Sequence, residues 1–184
     1  MKQHDIAVLV GSVREGSLNR RLAKALVNVA PGNLRLQWIG LEKLPFYNQD
    51  LEPDRPEDVV RFTEAVAACV GVIAVTPEYN RSIPAILKNA IDWGSKPLDR
   101  NVWANKPAAL AGTSPGAIGT AVGQQHLRQI LGVLGSVVMG GECYIRFQDE
   151  GFISPGGELA DPSTKAFLTT YMQRFGDLVD RLAG

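Results

Sequence analysis

Short apolar runs alternate with stretches of helical periodicity along the whole chain. Ile6 to Val10 is a continuous apolar run that stops at Gly11, the pattern of a buried strand. Leu18, Leu22, Leu26 and Val29 then recur at helical spacing until Pro31-Gly32-Asn33 stops the helix. Leu34 to Ile39 alternates, with Leu34, Leu36 and Trp38 on one face, and predicts a second strand. A loop rich in Pro, Asp and Glu covers 40–56. Asp58 to Cys69 predicts a helix with Val59, Phe62, Val66 and Cys69 on one face, and Val70 to Val75 a third strand. Ile83, Ile86, Leu87, Ala90 and Ile91 mark the next helix, over Ala85 to Trp93. Pro107 to Ala111 predicts a fourth strand, and Ile118, Val122, Leu127, Ile130, Leu131 and Leu134 a fourth helix. A fifth strand lies within Ser136 to Phe147, interrupted by Gly140-Gly141, and Phe167, Leu168, Tyr171, Phe175, Leu178 and Leu182 predict a terminal helix.

Strictly alternating strand and helix signals predict parallel βαβ units, with helices on both faces of the sheet. Five such units in 184 residues match a three-layer, doubly wound α/β domain spanning 1–184, with no repeat or linker to divide it. Alternation does not by itself fix strand order. The order 2-1-3-4-5 is one common choice, and it places ligands where strands one and three diverge.

Lys plus Arg and Asp plus Glu both number 19, so the net charge is zero. A broad nucleic-acid surface would show a basic excess, and a docking electron carrier an acidic one. Balanced charge also lowers the repulsion between copies, which favours self-association. No apolar run approaches the roughly 20 residues that span a bilayer. No signal-type apolar segment precedes the first strand, so a cytoplasmic protein is expected. Cys69 and Cys143 form no CxxC motif and read as buried, reduced thiols. His126 reads as a helix-surface or interface residue, and Leu44-Pro45-Phe46-Tyr47-Asn48 as a wall of the site or an interface.

Two loops at the ends of strands carry the candidate chemistry. The first is Gly11-Ser12-Val13-Arg14-Glu15-Gly16-Ser17-Leu18-Asn19. Ser17 is a suitable N-cap, and a helix start offers free N–H groups and a positive dipole end to an anion. Ser12, Ser17 and Asn19 add side-chain donors, and Arg14 a charge-assisted one. The residue before Ser17 is Gly16 where a P-loop has Lys, so the loop suits a phosphate that is held and not transferred.

The second loop is Thr76-Pro77-Glu78-Tyr79-Asn80-Arg81-Ser82-Ile83-Pro84. Pro77 stiffens the exit from the strand, Pro84 sits at the start of the next helix, and Ser82 is a candidate cap. Tyr79 offers an aromatic face, and the backbone of Glu78 to Asn80 offers donors and acceptors to a flat ring. A phosphate cradle beside such a wall suits a mononucleotide-like cofactor.

These two motifs, with Leu87-Lys88-Asn89-Ala90-Ile91-Asp92-Trp93 and the Gly112-Thr113-Ser114-Pro115-Gly116 loop, closely resemble the NADPH-dependent FMN reductase family. The resemblance covers nearly the whole chain. It implies a flavodoxin-like fold with a five-stranded parallel sheet in the order 2-1-3-4-5 and non-covalent FMN. It implies phosphate contacts from Ser12, Arg14, Ser17 and Asn19, ring contacts from Pro77, Glu78, Tyr79 and Asn80 with Ser82 nearby, and further contacts from Ser114 and Gly116. Chemistry would rest on the flavin and on no catalytic side chain. Hydride would pass from NADPH or NADH through FMN to quinones, azo compounds, flavins or metal oxyanions such as chromate, in a ping-pong cycle. Arg81 and Arg100 are candidates for binding a substrate phosphate or an anionic acceptor. A homodimer or homotetramer is expected. The competing reading is a flavodoxin-like electron carrier without its own NAD(P)H turnover.

Overall fold

The computed structural model describes residues 2–183. Among the described residues six strands and five α-helices follow in the order β1 His4–Val10, α1 Leu18–Asn28, β2 Leu34–Trp38, α2 Glu57–Ala68, β3 Gly71–Val75, α3 Ala85–Gly94, β4 Pro107–Ser114, α4 Ala121–Val133, β5 Val137–Val138, β6 Tyr144–Arg146 and α5 Pro162–Leu182, alternating except at β5 and β6. All pairings between strands are parallel, in the order β2-β1-β3-β4-β5, with β6 also pairing with β4. This is the flavodoxin-like order expected of the resemblance.

Alternate residues of the central strands feed two half-cores. Ile6, Val8, Ile73 and Val75 pack with α1 and α5, against Leu22, Leu26, Leu168 and Phe175. Ala7, Leu9, Val72 and Ala74 pack with α2, α3 and α4, against Phe62, Val66, Leu87, Ile91, Leu127 and Leu131. Full burial of such an aliphatic or aromatic side chain contributes roughly 1.5–3 kcal/mol, which fixes the helices on both faces. Among the described residues no helix is long and apolar enough to cross a membrane.

The fifth sheet position is occupied twice. β5 pairs with Pro107 and Ala108, and β6 pairs with Gly112 to Ser114, so the glycine-bearing break at 139–143 leaves the middle of β4 without a strand on the side away from β3. Tyr171 from α5 fills that gap. Its hydroxyl donates to the Leu110 carbonyl at 2.7 Å and accepts the Leu110 amide at 3.1 Å. Burial raises its pKa, so the phenol stays protonated and able to donate.

Some pattern-based expectations shift. Trp38 ends the edge strand and is half exposed. The fourth helix starts at Ala121 and leaves Ile118 exposed, since Gly119 turns with φ +58° against the main chain of Ile145. The loop over 40–56 is not loose. Trp93 Nε1 and Asn89 Nδ2 both donate to the Pro45 carbonyl, and Tyr47 stacks edge-on against Trp93.

Candidate functional site

Three loops meet at the carboxyl ends of β1, β3 and β4. They enclose a cleft of about 190 Å³ lined by Ser12, Arg14, Ser17, Leu18, Asn19, Pro77, Glu78, Tyr79, Thr113, Ser114 and Pro115. Larger hollows of about 510 and 570 Å³ lie elsewhere, and neither touches these loops.

The first loop turns into α1 as its residues dictate. Ser17 is extended (φ −62°, ψ 117°) and its side chain accepts the Arg20 amide at 3.1 Å, the expected N-cap. First-turn amides have no intrahelical acceptor, and Leu18 and Asn19 form part of the cleft wall. Arg14 is exposed and gives one guanidinium nitrogen to the Gly16 carbonyl, leaving further donors free. Asn19 is committed within the protein. Its amide donates to the Thr113 carbonyl and accepts the Thr113 amide, both at 2.9 Å, so it clamps the start of α1 to the end of β4.

The loop after β3 is rigid at both ends. A Cβ on Gly11 would lie 2.9 Å from Pro84 and 3.3 Å from Pro77, so only glycine lets the first loop lie against both prolines. Between them the chain makes a tight turn. Tyr79 and Ser82 exchange main-chain hydrogen bonds at 2.9 and 3.0 Å, with Asn80 (φ 50°) and Arg81 (φ 64°) both left-handed at its tip. This holds Tyr79 at the rim, 54% exposed. Ser82 does not cap α3. Pro84 occupies that position without a side-chain bond, and the Ser82 hydroxyl lies 3.1 Å from His126 Nδ1.

Glu78 is a strut between loops. One carboxylate oxygen accepts the Gly123 amide in the first turn of α4 at 3.0 Å, and the other pairs with Arg81 at 3.2 Å. A carboxylate at a helix N-terminus is favoured by the dipole, and α4 lacks a side-chain cap of its own. In the third loop, Ser114 Oγ donates to the Gly119 carbonyl at 2.7 Å and accepts the Gly116 amide at 3.2 Å.

Arg100 is not part of this cleft. It lies in a short 3-10 turn, Leu98–Arg100, after the carboxyl end of α3, and lines the 510 Å³ cavity beside α2. Because α3 runs antiparallel to the strands, its carboxyl end is at the opposite edge of the sheet. Within the single chain Arg100 therefore stands apart from the three loops.

Pattern reading missed Thr113. It lines the cleft, and its Oγ1 is buried without a hydrogen-bond partner. The strand runs on to Ser114, past the Ala111 that the apolar pattern gives as its end, and carries Thr113 to the cleft. A buried hydroxyl left unmatched costs free energy, and a polar ligand atom in the cleft would satisfy it. That orphan, the helix start and the serine and arginine donors are of a chemistry that suits FMN.

The NADPH-dependent FMN reductase family model matches residues 4–150. A 2-hydroxy-1,4-benzoquinone reductase from Burkholderia is 44% identical over 171 residues, covering 92% of this chain and 93% of the relative. A quinone reductase from Escherichia coli is 35% identical over 181 residues, 96% of each chain. Among solved structures, the FerB flavoenzyme NAD(P)H:(acceptor) oxidoreductase from Paracoccus denitrificans superposes with a TM-score of 0.91 at 41% identity, covering 97% of this chain and 98% of FerB. Sheet order, loop motifs and full-length similarity agree, and the chain belongs to the NADPH-dependent FMN reductase family.

Proposed function

We propose that the cleft between the three loops holds FMN, and that the protein uses it to reduce quinones and other small acceptors with NAD(P)H. The family makes the protein an NAD(P)H-dependent oxidoreductase with FMN as its cofactor. What supports the placement is one convergence: a helix N-terminus, the unpartnered Thr113 hydroxyl and a proline-flanked turn all border the same cleft.

The chemistry FMN supplies when bound is two-electron exchange between a nicotinamide donor and an acceptor. The chain binds and orients. Ser12, Arg14, Ser17 and the first-turn amides of α1 hold the phosphate end, where dipole and guanidinium both favour negative charge. Asn19 acts through Thr113, keeping α1 and β4 in register. The main chain of Pro77 to Asn80 and the Tyr79 ring flank the flat heterocycle. Ser82 closes the turn that carries them, and Ser114 and Gly116 shape the third side. Both oxygens of Glu78 are engaged within the protein, so it supports the wall.

Quinones come first among acceptors because the Burkholderia and Escherichia coli relatives are named for them. Azo compounds, free flavin and oxyanions such as chromate share the same open rim beside Tyr79. Donor and acceptor use that rim in turn, which makes the kinetics ping-pong. Arg81, exposed at the turn tip, is placed to meet the 2′-phosphate of NADPH. A cytoplasmic homodimer or homotetramer belongs to this reading, with exposed Phe46 and Leu98 as apolar contact points.

Steady-state NADPH oxidation with benzoquinone, without a partner protein, tests it. Parallel double-reciprocal lines at several quinone concentrations are expected. Negligible turnover would mark an electron carrier and remove the reductase assignment.

A further inference from the structure

The 510 Å³ cavity has no place in the reaction above. It lies between one face of α2 and the segment 100–106 that leads into β4. Among the described lining residues it gathers three cations, Arg55, Arg100 and Lys106, against one carboxylate, Glu64. The protein as a whole carries balanced charge, so this is a local excess.

Main-chain bonds hold two of the three cations in place without neutralising them. Arg55 Nη2 donates to the Trp93 carbonyl at 3.1 Å, at the carboxyl end of α3. Lys106 Nζ donates to the Cys69 carbonyl, with the Ala67 carbonyl at 3.4 Å. Neither partner is a carboxylate. Burial, and then the nearby Arg100 guanidinium, push the pKa of Arg55 down, with Glu52 as the opposing charge. Burial pushes Lys106 down as well. Like charges confined at a partly desolvated wall repel, and an anion between them would relieve that cost. Val60, Ala67 and Val102 add apolar surface beside the charges.

We propose that this cavity binds a compact organic polyanion, a small molecule bearing two or more phosphate or carboxylate groups, independently of the FMN cleft. Two guanidiniums and an ammonium suit oxygen clusters of that kind. Lys106 immediately precedes β4, whereas the cleft uses the carboxyl ends of the strands, so the two sites lie at opposite sheet edges and do not compete.

Calorimetric titration of the protein in excess FMN, with pyrophosphate and separately with citrate, tests the site. Saturable 1:1 binding of at least one probe is expected, weakening with added salt. Tighter pyrophosphate would point to a phosphorylated ligand, and tighter citrate to a polycarboxylate. Arg100→Gln should weaken binding at least about tenfold while leaving the thermal midpoint without probe unchanged or higher, since it removes repulsion. Glu64→Gln, on the exposed side of α2, should tighten binding severalfold. Absence of saturable heat with both probes, or affinities unmoved by both substitutions, would overturn the proposal.

Discussion

The side-chain amide of Asn19 faces the main chain of Thr113 and exchanges two hydrogen bonds with it, each 2.9 Å long. The pair joins residues on the first helix and the fourth strand and ties the start of α1 to the opposite wall of the cleft. Asn19→Ala leaves both Thr113 groups buried without partners, at a cost of about 1–3 kcal/mol. The expected outcome is a lower urea midpoint in the absence of FMN, together with FMN affinity weakened by about tenfold or more. Unfolding curves and FMN fluorescence titration measure the two effects separately.

Tyr171 stands in for a missing stretch of strand. Tyr171→Phe keeps the ring in the core but leaves the Leu110 amide and carbonyl unpaired where β5 has ended and β6 has not begun. A loss of about 1–3 kcal/mol in unfolding free energy is expected. Hydrogen exchange should show the Leu110 amide losing protection more than its neighbours Ala109 and Ala111.

That substitution also marks where local pattern stops being informative. The strands, the helices and the break near Gly140 follow from apolar spacing and glycine. Ser17 as a cap follows from one residue and its position. That Tyr171 would serve β4 does not, because the relation spans |i−j| = 61 and the tyrosine reads simply as one more apolar position on a helix. Glu78 was legible as a polar residue in the right loop, but its bond to Gly123 depends on how α4 approaches. The charge of Arg100 was visible in the sequence, but its place beside α2 depends on the direction of α3. Thr113 stood in the third-loop motif, but its contact with Asn19 spans distant parts of the chain and could not be read from local pattern.

Arg81 sits left-handed at the second tip position of the turn, where glycine is preferred. Relief of that conformation is worth about 1–2 kcal/mol. The ion pair to Glu78 involves an arginine side chain 68% exposed, and such pairs contribute only about 0.2–1 kcal/mol. Arg81→Gly should therefore keep or raise the thermal midpoint, whereas Arg81→Ala should lower it slightly. Both should raise the KM for NADPH more than that for NADH. Equal effects on the two donors would remove the 2′-phosphate role.

Two carboxylates make stability acid-sensitive. Bonds from Arg35 and Gln37 hold Asp5 down to about 2, and bonds from Ser163 and Thr164 hold Asp161, the N-cap of α5, below the usual range. Both folded pKa values lie below the unfolded value of about 3.9. Their stabilisation is therefore complete above that value and fades as pH falls from about 4 towards 2. Asp161→Asn should lower the thermal midpoint near neutrality, and the gap to the unmodified protein should narrow on acidification. A gap that stays constant down to about pH 2.5 would remove the linkage.

The visible spectrum of the purified protein, recorded anaerobically before and after NADPH, tests the central claim most directly. Absorbance of one bound FMN per chain is expected, bleached by a single equivalent of NADPH and restored by benzoquinone. A protein that stays colourless after incubation with FMN, or a bound flavin that NADPH leaves unchanged, would contradict it.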